Sequence, residues 1–173
     1  MRISTTGTTS RDERGFTLIE LCVVALLIAA IAAVAAPSFT SYWRASQTRN
    51  CAWKVAALAS AARDYAITHA SRAAVIYQDE QFQLAAPSDP ADPSSEFAPL
   101  SLAVARPVSV PDTVDRIEVT VEGHTGDTDW PLVFFPDGQA LAAQLVLEGG
   151  SSWTIEVTPL TGHVKVTAGE TSG

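Results

Sequence analysis

Gly15-Phe16-Thr17-Leu18-Ile19-Glu20-Leu21 opens an apolar run that continues to Ala36, and its reading decides how the rest of the 173-residue chain is organised. Within residues 16–36 the only polar side chains are Thr17 and Glu20. A membrane-spanning helix needs about 20 predominantly apolar residues, so the run predicts a single-pass anchor. Glu20 contradicts that setting. A carboxylate at membrane depth costs about 2.5–3.5 kcal/mol on insertion scales, and it persists only where it finds a partner or snorkels to the headgroups.

Residues 1–14 are polar, rich in Ser and Thr, and carry Arg2, Arg11 and Arg14. They cannot build a core and read as a leader or tail, with arginines that favour a cytoplasmic N-terminus. An ordinary secretory signal cut after Ala35 is the competing reading of the apolar run. Against it stand Glu20 inside the apolar segment and a helical pattern that resumes after Pro37.

Pro37 lacks a backbone donor and crowds the preceding turn, so a kink or local break is expected there. From Phe39 to about Arg72 there is no further Pro and no Gly. Cys51, Val55, Leu58, Ala62 and Tyr65 recur at three- and four-residue steps and predict an amphipathic helix with one buried face. Beyond Arg72 the texture changes to short β-like runs. The expected strands are 74–78, 81–85, 108–110, 117–121, 131–135, 140–147, 153–157 and 164–166, with a turn at Pro136-Asp137-Gly138 and another at Thr161-Gly162. Residues 86–99, holding Pro87, Pro90, Pro93 and Pro99, read as a surface loop. One long helix followed by a run of strands argues α+β.

Charge divides the chain in the same place. Residues 37–78 carry Arg44, Arg49, Lys54, Arg63 and Arg72 against Asp64 alone, net +4. Residues 79–173 set Arg106, Arg116 and Lys165 against fifteen acids, net −12. Such an acidic head repels nucleic acid and anionic surfaces over a Debye length of about 8 Å. Cys22 and Cys51, on one helix, lie roughly 43 Å apart at ~1.5 Å per residue, beyond disulfide reach.

The opening motif, behind a short basic leader and ahead of an apolar helix, resembles the type III signal of type IV pilins and type II secretion pseudopilins. The resemblance implies cleavage between Gly15 and Phe16 by a prepilin peptidase and N-methylation of Phe16. Glu20 then becomes the acidic position that pairs with a neighbouring subunit's amino terminus and sets the axial register, and Pro37 matches the mid-helix proline. Ala62-Arg63, Phe134-Phe135-Pro136-Asp137-Gly138-Gln139 and Thr161-Gly162-His163-Val164 are similar to the head of the H-type pseudopilin (GspH) and FimT group, which implies a small antiparallel β-sandwich-like head.

The parts are therefore expected as a leader (1–15), a membrane span (16–36), an amphipathic periplasmic helix (37–72) and a β-rich head (73–173). The expected function is a minor pseudopilin of the type II secretion pseudopilus, in the inner membrane with its head in the periplasm, whose partners are other pseudopilins or pilins and the prepilin peptidase. A FimT-like minor type IV pilin, acting in fibre initiation or DNA uptake, is the alternative. Some of that group bind DNA through a Gly-Arg-x-Arg segment. Here the stretch is Gly162-His163-Val164-Lys165, so both arginines are missing, and DNA is not an expected partner. A membrane-tethered periplasmic binding domain is the reading from another class.

No catalytic or cofactor chemistry is expected. His69, His124 and His163 are scattered without metal-ligand spacing, and no nucleophile elbow, phosphate-binding glycine loop or Cys-x-x-Cys occurs. Asp127 and Asp129 flank Thr128 in a loop that lacks the calcium-binding pattern and read as solvated acids. Tyr42 and Trp43, just past the span, suit interfacial anchoring or packing, and Trp130 and Trp153 suit the core.

Overall fold

A computed structural model describes residues 17–89, 92, 95–102, 105–126 and 131–169; within these, nothing is described of the side chains of residues 34–38. The expectations for the leader, Gly15, Phe16, Asp127, Asp129 and Trp130 lie outside the described residues. So does the kink at Pro37, of which only the helical backbone assignment is described.

The chain divides into a first compact unit, Met1–Phe39, and a second, Thr40–Gly173. One helix, α1 (Leu18–His69), enters both. In the first unit it starts because Thr17 caps it. Thr17 Oγ1 accepts from the Glu20 amide at 3.3 Å, and the Thr17 carbonyl accepts from Glu20 N and Leu21 N at 3.1 and 3.2 Å. Thr17-Leu18-Ile19-Glu20 is thus a capping-box sequence, with Glu20 at its third helical position. Residues 18–33 are exposed throughout, with Leu18, Ile19, Leu21, Leu26, Ile28 and Ile31 among the bare apolar side chains. Among the described residues no helix is long and apolar enough to cross a membrane.

In the second unit α1 ends at His69, three residues before the expected Arg72. Ala70 takes φ +49°, and Ser71 N returns to Ala66 O at 3.2 Å. This is a Schellman closure with Ala where Gly is favoured. Among the described residues ten strands follow: β1 (Ala73–Gln78), β2 (Gln81–Pro87), β3 (Phe97–Pro99), β4 (Val108–Ser109), β5 (Val114–Val121), β6 (His124–Gly126), β7 (Leu132–Phe134), β8 (Ala143–Gly149), β9 (Ser152–Val157) and β10 (Val164–Ala168). β3 and β6 were not expected. The first lies in the segment read as a loop, where Phe97, Ala98 and Pro99 pair with Pro87, Ala86 and Ala85; the second is too short to show alternation.

Both sheets are antiparallel. The first runs β3-β2-β1-β7, with β4 also pairing β2; the second runs β10-β9-β8-β5-β6. The class is therefore α+β with antiparallel sheets. Alternation places Val119, Val121, Leu145, Leu147, Ile155 and Val157 on the inner face of the second sheet. These side chains share one core with Val75, Phe82 and Leu84 of the first sheet and with the buried face of α1.

That helix face carries the expected Cys51, Val55, Leu58 and Ala62, all buried, with Tyr65 half-buried beside them. Ala52, Ala56, Ala59 and Ala66 fill in between and are also buried, so the stripe is broader and smaller in side chain than the larger residues alone predict. Short side chains let α1 sit close to the strands. Each fully buried Leu, Ile or Phe of this core contributes about 1.5–3 kcal/mol.

Candidate assembly surface

The candidate surface is the second-unit part of α1 together with the groove and corners that the head builds against it. Two corners fix the second-unit part of the helix. At the first, Gly150 meets the backbone of Arg44 and Ala45 so closely that a Cβ there would lie 2.5 Å from Ala45 N. Ser151 Oγ donates to Ala45 O at 3.2 Å, and Trp153 Nε1 donates to Ser151 Oγ at 2.9 Å. Arg44 reaches Asp115 at 3.4 Å, an exposed pair worth about 0–1 kcal/mol. Gly150 is thus a clearance for the helix.

At the second corner, three separated motifs meet. Arg63 Nε donates to Thr161 O at 2.8 Å, and Arg63 Nη1 lies 3.8 Å from Asp64 Oδ1. The guanidinium passes over Gly138, whose added Cβ would sit 3.4 Å from Arg63 Nη2. Gly138 has φ +84° in a turn closed by Gly138 N to Phe135 O (3.0 Å) and Phe135 N to Gln139 O (2.9 Å). Asp137 Oδ1 accepts from Gln139 N at 3.0 Å. Gly162, with φ +58°, packs on the Gly138 carbonyl and on Arg63. The residues Ala62-Arg63, Pro136-Asp137-Gly138 and Thr161-Gly162 therefore hold strand connections onto α1.

Glu20 is exposed and its side chain faces no base within ion-pair distance among the described residues. Its backbone belongs to the Thr17 cap. The capping role was legible as Thr-x-x-Glu but passes unseen when Thr17 is counted only as a polar intrusion. In the second unit α1 exposes Tyr42, Trp43 and Trp53.

The remaining described candidates lie apart from these corners or at their edge. His69 stacks on Tyr65 with ring centroids 3.9 Å apart, and its Nδ1 lies 3.1 Å from Tyr65 O at the helix end. Gly162 is buried while His163 and Lys165 are exposed. Among the described residues no group of three or more His, Cys, Asp or Glu is placed to hold a metal ion. Cys51 is buried and free, and burial pushes its thiol pKa up, against a smaller lowering by Lys54.

No protein-family model and no curated protein matches the chain. Solved structures do match. The solution structure of E. coli GspH is similar with a TM-score of 0.52 at 17% identity, over 73% of this chain and 92% of that one. The minor pseudopilin EpsH from the type 2 secretion system of Vibrio cholerae is similar with a TM-score of 0.52 at 10% identity, over 72% of this chain and 99% of that one. At such identities the likeness is one of fold.

Proposed function

We propose that this chain is a minor pseudopilin, a structural subunit of a type II secretion pseudopilus that takes part in protein export, without catalysis or cofactor of its own. The observation that carries the reading is the fold shared with E. coli GspH and V. cholerae EpsH, on a chain that carries Gly15-Phe16-Thr17-Leu18-Ile19-Glu20 at the head of its apolar run. The prepilin peptidase cuts after Gly15 and methylates Phe16. Residues 16–36 hold the subunit in the inner membrane, with the head in the periplasm, until it joins the fibre. The exposed apolar side chains of residues 18–33 then pack against neighbouring helices, and Glu20 pairs with a neighbour's amino terminus. Desolvation makes that pairing demanding and hence register-specific.

Two substitutions separate the charge of Glu20 from its place in the cap. Gln at the third helical position still completes a capping box, whereas Ala does not. Both Glu20→Gln and Glu20→Ala are expected to lower incorporation into fibres by about tenfold or more, as one uncompensated desolvated charge partner predicts. The fraction is read by immunoblot of sheared fibres, alongside mass spectrometry of a methylated Phe16 terminus. Wild-type incorporation of both variants refutes the pairing. A defect in Glu20→Ala alone assigns Glu20 to the cap, and an uncleaved Met1 or a terminus after Ala35 removes the fibre reading itself.

A further inference from the structure

The second unit has a groove of about 460 Å³ between α1 and the segment that leads into β4, lined by Lys54, Ala57, Leu58 and Ala61 on one wall and by Ala105, Arg106, Pro107 and Val108 on the other. Leu58, Ala105 and Val108 are buried and make an apolar floor. Lys54 and Arg106 stand exposed on opposite walls, and neither has a carboxylate within ion-pair distance among the described residues. Exposed Trp53 precedes Ala57 by one helical turn and so flanks the helix wall.

We infer that this groove receives an acidic segment of a neighbouring fibre subunit, an apolar side chain on the floor and a carboxylate between Lys54 and Arg106. The inference rests on the fibre reading above and names the partner chemistry of one surface. Charge selects the occupant. Residues 79–173 are net −12, so an acidic partner is repelled over most of the head and admitted where Lys54 and Arg106 face its carboxylate, which sets the register. The groove's size suits one or two side chains with their backbone. An aromatic beside an apolar floor, rimmed by charge, is the usual layout of an interface anchor. A lipid phosphate is the poorer fit. Lys54 lies roughly 16 Å beyond Trp43 along α1 at ~1.5 Å per residue, and the headgroup layer beyond the hydrocarbon is only about 5–8 Å deep.

The test places a photo-crosslinking residue at Ala57 of the full chain, produced in its own cells with its own fibre partners, and identifies the adducted peptide by mass spectrometry. A second probe at Leu26 reports helix packing within the fibre. The expected Ala57 adduct is a subunit peptide with Asp or Glu beside an apolar residue. Its yield falls about tenfold in Lys54→Glu/Arg106→Glu, as two lost rim pairs predict, while the Leu26 adduct is retained and the variant keeps the wild-type melting curve. An Ala57 adduct that is absent, lipidic or a basic or uncharged peptide, or one indifferent to the charge reversal, overturns the inference while Leu26 still crosslinks. Loss of both adducts in the wild-type chain removes the fibre reading and the inference with it.

Discussion

Replacing Gly162 by Ala tests whether the meeting of α1 with the turns at residues 135–138 and 158–162 holds the head together. Gly162 has φ +58°, where a β-carbon costs about 1–2 kcal/mol. The new Cβ would stand 2.6 Å from the Gly138 carbonyl oxygen and 3.0 Å from Arg63 Cδ and Nε. Arg63 can shift, but only by straining its 2.8 Å bond to Thr161 O. The Gly138 carbonyl belongs to a turn pinned by Gly138 N and Phe135 N and cannot step aside alone. Overpacking of this kind costs typically 1–3 kcal/mol, so the sum is about 3 kcal/mol.

Gly123→Ala is the control. Its φ is +81°, and nothing lies within 4 Å of the added Cβ, so only the conformational strain of about 1 kcal/mol applies. The fold already carries that strain at Ala70, Asp79, Glu80 and Glu122. Thermal melts of the full chain in nonionic detergent, followed by near-ultraviolet circular dichroism, should fall by about 6–12 °C for Gly162→Ala and about 2–4 °C for Gly123→Ala. Equal shifts would refute the reasoning, because the difference between the two is the contact with Gly138 and Arg63.

Glu80→Gly should stabilise the chain by about 1 kcal/mol, a rise of about 2–4 °C, since Asp79 and Glu80 form a two-residue hairpin turn with φ +52° and +58° that prefers Gly at its second position; an unchanged melt argues against that turn. Cys51 should resist maleimide in the folded chain. Its raised thiol pKa leaves less thiolate at every pH below that value, so labelling of a Cys22→Ala variant should keep rising with pH past the range of a free thiol and reach the free rate only on unfolding. Labelling at the free-thiol rate at pH 8 contradicts the burial.

Much of the fold was legible where the periodicity is strong. The three- and four-residue steps from Cys51 to Tyr65 predict the buried helix face, and the alternation in residues 117–121 and 153–157 predicts β5 and β9, because burial on one side selects every fourth or every second side chain. The hairpin at Asp79-Glu80 gives no such signal. Its residues are ordinary loop formers, and their positive φ is imposed by the pairing of Gln78 with Gln81. β3 and β6 were invisible for a related reason, since their pairing depends on neighbours rather than on pattern.

The sequence by itself determined the local chemistry of this chain: an apolar segment with one carboxylate, an amphipathic helix with one apolar stripe, and an acidic, strand-rich head. Each of these follows from neighbouring residues, whose spacing sets the burial patterns. Only the tertiary structure decided that Arg63, Gly138 and Gly162 share one corner, and that Lys54 and Arg106 face each other across a groove. The partners in both cases are far apart along the chain, and a carbonyl oxygen or an unpaired charge meets a distant side chain only after the sheets and helix have packed.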